Sequence, residues 1–149
     1  MPGRPDWTKS KSGDMFLLEA RAKELHRDGM LNGWQVFCGS RQGDEGHAIY
    51  AIKGISPIAV ASEFETGVAF GDTPQLCAEL VLVDQIARFR PYFVDPSGYK
   101  CRFLEDLTPD KARDIEATLT VGMEHYLDEG GSTMAAMLLR ENELRLWWD

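Results

Sequence analysis

Trp34 to Ser40 (WQVFCGS), His47 to Lys53 (HAIYAIK) and Ile58 to Thr66 (IAVASEFET) are the stretches whose reading decides the fold. Each is short, rich in β-branched and aromatic residues, and set off by breaks containing Gly or Pro, so the three read as an antiparallel meander. The connection Arg41 to Gly46 (RQGDEG) has the composition of an exposed hairpin loop. Alternation puts Trp34, Val36 and Cys38 on one face of the first strand. In the third, Ile58, Val60, Ser62 and Phe64 share a face while Glu63 and Glu65 point the other way. Two carboxylates so placed lie about 7 Å apart by the strand repeat, a spacing compatible with paired-carboxylate catalysis.

Upstream, Met15, Leu18, Ala22 and Leu25 recur at intervals of three and four, which predicts a helix over residues 14 to 28. Residues 1 to 13 carry Pro2, Gly3, Pro5 and Gly13 and read as a flexible N-terminal tail, with Trp7 as a residue that could dock it. Downstream, Thr73-Pro74 has the form of a helix cap followed by proline at the first helical position. The apolar helix it opens is expected to run to Arg90 and end at Pro91. Tyr99 to Leu104 alternates as a half-buried strand, with Tyr99, Cys101 and Phe103 on one face.

Thr108-Pro109 repeats the capping signature and opens a third helix with an apolar stripe of Ala112, Ile115, Leu119, Met123 and Tyr126, ending near Gly130-Gly131. For residues 132 to 149 we favour a β-hairpin turning near Asn142 over a helix followed by one strand. The expected fold is α+β, a mainly antiparallel sheet of about five to six strands against three helices in the order α-β-β-β-α-β-α-β-β. Residues 14 to 149 form a single domain in this reading, since no regular βαβ repetition or internal repeat is present.

The 149 residues are enough for one conventional core, and an apolar share of 44% with 27% charged residues excludes low-complexity and collagen-like classes. The most apolar run, Leu76 to Ile86, is broken by Glu79, Asp84 and Gln85, so no membrane span is expected. Met1 to Asp14 lacks the apolar stretch of a secretory signal. Three cysteines, Cys38, Cys77 and Cys101, do not suggest a disulfide framework, and a reduced, cytoplasmic protein is expected.

The net charge of −8 is unevenly spread: Glu105 to Glu129 hold eight acidic side chains and two basic ones. Such a field repels phosphate backbones, so direct nucleic-acid binding is not expected, whereas a basic protein partner is favoured.

Phosphate-cradling loops, zinc-protease, EF-hand and nucleophile-elbow motifs are absent from the sequence. His26, His47 and His125 sit on different elements and read as surface or half-buried polar residues, although pairing of the first two strands would bring Cys38 and His47 together as a thiol dyad.

Cys77-Ala78-Glu79, near the start of a helix, resembles the first half of the zinc-dependent cytidine deaminase signature. That resemblance covers about 20 residues and implies Cys77 and Cys101 as metal ligands and Glu79 as the proton carrier. Where the family has Pro-Cys-x-x-Cys, however, this chain has Pro96-Ser97-Gly98-Tyr99-Lys100-Cys101.

The leading expectation is therefore a non-enzymatic interaction module (inhibitor, immunity or adaptor protein) that needs no cofactor and meets a basic protein partner. Asp110, Asp114, Glu116 and Glu124 would steer that partner, and Trp148 would anchor it or a second copy of the chain. A deaminase-like hydrolase is the alternative. A secretion-chaperone-like dimer, suggested by size, acidity and mixed α/β order, is the third.

Overall fold

The computed structural model describes residues 6–27, 33–122 and 133–148. Over these the chain runs β1 (Asp6–Lys9), α1 (Met15–Arg27), β2 (Trp34–Gly39), β3 (Ala48–Lys53), α2 (Pro57–Glu63), α3 (Thr73–Ile86), β4 (Phe89–Asp95), β5 (Gly98–Phe103), α4 (Pro109–Thr118), α5 (Met134–Glu141) and β6 (Glu143–Trp147). The architecture is α+β. The six strands form one sheet in the order β1-β3-β2-β4-β5-β6, antiparallel throughout except where β2 meets β4.

The hairpin of β2 and β3 forms as its alternation requires, but the third expected strand is a helix. Ser56 caps α2 by accepting a hydrogen bond from the Ala59 amide at 3.0 Å, and Pro57 takes the first helical position, where its missing N–H is harmless. Helical spacing then buries Val60, Ala61 and Phe64 together. Glu63 and Glu65 consequently share no strand face. Both are exposed, and Glu65 adopts a left-handed backbone beyond the helix end (φ 54°).

Helix α3 begins at Thr73 and stops at Ile86, short of Arg90, because Ala87 turns extended (φ −155°, ψ 130°). The Thr73 hydroxyl is not a cap. It donates to the Thr66 carbonyl at 2.7 Å. Pro91, expected as a terminator, lies inside β4, where the pairing with β5 slips between Pro91 and Phe93 and absorbs the missing donor.

Helix α4 ends at Thr118, and the chain is extended at Leu119. Thr118 to Val121 is poor in helix formers, and the buried carboxylate of Glu79 captures the next amides. Met123, Glu124, His125 and Tyr126 lie outside the described residues. At the C-terminus the helix-then-strand alternative is the one formed: Thr133 caps α5, and Asn142, left-handed at φ 55°, ends it and starts β6. Within the stretch read as a tail, Asp6–Lys9 pair with β3, and the Trp7 ring stacks on Phe64 at 5.8 Å. Trp7 supplies the burial that fixes this edge strand.

The sheet has two unequal faces. On one, α2, α3, α4 and α5 enclose a large core that includes Phe37, Tyr50, Phe64, Leu76, Leu80, Tyr99, Ile115, Leu138, Leu144 and Trp148. On the other, α1 alone covers a small cluster of Ala22, Cys38, Tyr92 and Phe93. Helix α1 packs on β2, β3 and β4. The same face of β5 and β6 is left for side chains that tolerate water.

Candidate functional site

Strand alternation decides what that uncovered half carries. In β5, Tyr99, Cys101 and Phe103 enter the large core, so Lys100 and Arg102 must point to the α1 side. In β6, Leu144 and Leu146 do the same and turn Arg145 outward. The flank of α1 adds Phe16, Glu19, Ala20, Lys23 and Arg27 at helical spacing. Although the chain is strongly acidic, six cations (Lys23, Arg27, Arg90, Lys100, Arg102 and Arg145) gather here with three carboxylates (Glu19, Glu141 and Glu143) among the described residues.

Glu143 is the hub. Its Oε1 lies 2.8 Å from Lys23 Nζ, and its Oε2 is 3.1 Å from Arg145 Nη2 and accepts from the Tyr92 hydroxyl at 3.1 Å. Burial pushes this carboxyl up, but the bonds from Lys23, Arg145 and Tyr92 outweigh it and hold the group below its ordinary value. Tyr92 is moved the opposite way, by burial and by Glu143, and stays a hydroxyl donor. Lys100 pairs with Glu19 at 2.9 Å and rests over the Phe93 ring at 4.8 Å, while Lys23 lies 4.7 Å over Tyr92. These pairs fix the cationic heads at the rim of a cleft of about 330 Å³ bounded by Phe16, Glu19, Ala20, Lys23, Tyr92, Lys100 and Arg145. Phe16 on its wall is 71% exposed, and the next residue along α1, Leu17, is 73% exposed.

Further along the same face a second cleft, about 190 Å³, is bounded by His26, Arg27, Arg90, Arg102, Phe103 and Leu104. His26 Nε2 is 2.6 Å from the Val36 carbonyl and donates to it. Burial lowers the affinity of this imidazole for a second proton, the Val36 bond opposes that, and Arg102 and Arg90 lower it further.

The residues picked from sequence lie elsewhere and do not converge. Asp110 is exposed and paired with Arg113 one turn on. Asp114 is exposed, whereas Glu116 is half-buried and accepts the Ala135 amide at 2.7 Å, so it holds α5 to α4. Glu124 lies outside the described residues. Trp148, expected at an exposed C-terminus, is 5% exposed and donates from Nε1 to Asp72 at 2.8 Å. Its ring closes the core against Gly122, where an added Cβ would lie 2.8 Å away, and the neighbouring Trp147 amide donates to the Gly122 carbonyl at 3.1 Å.

Glu79 is 2% exposed and accepts from the amides of Thr120 and Val121, the Thr120 hydroxyl at 2.8 Å and the Gln75 side chain at 2.8 Å. These bonds occupy the carboxylate as a clamp on the chain after α4. Cys77 is half-buried near the Ile58 carbonyl, and Cys101 is fully buried in β5; burial raises both thiols. Among the described residues, no three His, Cys, Asp or Glu side chains come together in metal-holding geometry.

His47 does meet a carboxylate, Asp95 at 3.0 Å. Cys38 does not join them: its thiol faces the Met15 carbonyl at 3.8 Å, and burial, with Glu19 and Asp95 nearby, pushes it up to about 12. A group held protonated to that degree is a poor nucleophile. The cationic half-sheet was invisible to sequence reading, although the Lys100/Arg102 alternation was the signal that could have exposed it.

No family model, curated protein or solved structure matches the chain.

Proposed function

We propose that the protein is a non-enzymatic interaction module of the inhibitor, immunity or adaptor kind, and that it binds through the half of the sheet that α1 leaves uncovered. The observation that carries this reading is the exposed Phe16 at the mouth of a cleft whose rim holds Lys23, Lys100 and Arg145. An exposed aromatic next to positioned cations suits an acidic protein segment bearing an apolar side chain: the apolar contact supplies affinity, and the charges supply encounter rate and orientation. Of the side chains expected to steer a basic partner, Asp110 is paired with Arg113 and Glu116 holds α5, while Asp114 is exposed on α4.

Affinity capture from the source cells with matched variants tests the choice of face. Phe16→Glu with Leu17→Glu changes only exposed side chains and should lose the captured protein. Asp114→Lys should keep it. The reverse pattern would transfer the binding surface to α4 and restore the basic-partner reading, while size measurement of the captured species separates a second copy of the chain from a different protein.

A further inference from the structure

The second cleft holds charge that the fold itself does not explain. Arg90 of β4 and Arg102 of β5 are direct cross-strand partners, and like charges in that relation cost stability. No carboxylate pairs with Arg90 or Arg27 among the described residues. The nearest to Arg102 is Glu143 at 3.9 Å, and that carboxylate is already held more closely by Lys23 and Arg145. The His26 side chain, tied to Val36, adds a neutral wall.

We infer that this cleft is a receptor for one phosphoryl group carried on a peptide segment, with Arg90 and Arg102 as forked ligands and Arg27 as the third cation. Guanidinium planes match phosphate oxygens two at a time, and a dianion offsets the clustered charge where a single carboxylate would leave most of it unbalanced. The volume of about 190 Å³ admits one such group with its remaining water. A nucleic-acid backbone is a worse fit, because Glu19, Glu141 and Glu143 interrupt the row of cations and the whole chain repels a polyanion. Leu104, 54% exposed on the cleft wall, offers an apolar contact for a residue beside the phosphorylated one. The assignment rests on the open half-sheet being the binding face.

The test is fluorescence anisotropy with a labelled peptide of Glu and Ala carrying one central phosphoserine, its unphosphorylated serine counterpart, and inorganic phosphate as competitor. The phosphopeptide should bind at least about tenfold more tightly than the serine peptide, the value of one to two charged hydrogen bonds. That gap should vanish in Arg90→Gln and in Arg102→Gln, with thermal melts confirming that both fold. Equal affinity for the two peptides overturns the phosphoryl site but leaves the half-sheet as an acidic-peptide surface; no binding of either counts against both. Inorganic phosphate competing as tightly as the phosphopeptide would place the group on a small molecule and overturn the peptide assignment.

Discussion

Lys23 Nζ lies 2.8 Å from Oε1 of Glu143, joining the third turn of α1 to the first residue of β6 across the uncovered half of the sheet. This contact brings together two segments 120 residues apart in sequence. It also helps to position Arg145 and Tyr92, which share the same carboxylate.

Stability should therefore depend on the ionisation of Glu143. Its carboxyl is held below the ordinary glutamate value of 4.5, so the stabilisation is complete above that value and is lost as the pH falls through the lower native one. Urea denaturation as a function of pH should show this decline below about pH 4.5, and Glu143→Gln should flatten it while costing about 3 kcal/mol at neutral pH. An unchanged acid limb in the variant would contradict the network.

Glu79 is a clamp in this structure, and removing it should be felt as lost stability. Glu79→Ala leaves the Thr120 amide and hydroxyl without their acceptor and should cost about 2–3 kcal/mol in a urea titration. Zinc should leave the melting temperature of the wild type unchanged. A zinc-dependent rise that disappears in Cys77→Ala would instead favour the deaminase-like alternative.

Thiol reactivity should follow burial. With Cys38 pushed up to about 12 and Cys101 fully buried, only the half-buried Cys77 is open to an aromatic disulfide reagent in the native state. One slow thiol before unfolding and three after it is the expected count. Rapid native labelling of Cys38, read by peptide mapping, would contradict its packing beneath α1.

The Gly122 turn should tolerate no side chain. Its φ is +69°, and an added Cβ would lie 2.8 Å from the Trp148 ring and 2.9 Å from the Leu146 Cβ. Gly122→Ala should lower stability by at least about 1–2 kcal/mol from the backbone alone, measured by thermal or urea denaturation.

Local chemistry was legible from sequence where one segment carries the whole signal. The 34 to 53 hairpin, the Thr108 cap and the alternation of Tyr99, Cys101 and Phe103 are of this kind. Ile58 to Phe64 misled because its β-branched alternation outweighed Ser56-Pro57, although that pair is the same cap-and-proline signature read correctly at Thr108-Pro109. Pro91 misled because proline stops a helix but also fits a slipped strand pairing. The apolar stripe of α4 implies a longer helix because it does not reveal that Glu79, some 40 residues earlier, takes the next amides.

The cationic face was hidden for a different reason. Its members come from α1, β4, β5 and β6, and a running charge count averages each of them with acidic neighbours. Conversely, the acidic stretch that dominates that count is partly consumed by Arg113 and by the Ala135 amide.

Hydrogen–deuterium exchange of the protein with and without its captured partner is the most direct measurement of where binding occurs. Binding through the uncovered half-sheet should slow exchange in the first turns of α1 and along the edge strand β6, with the α4 amides unchanged. Protection confined to residues 109 to 118, with none around Phe16 or Arg145, would contradict it.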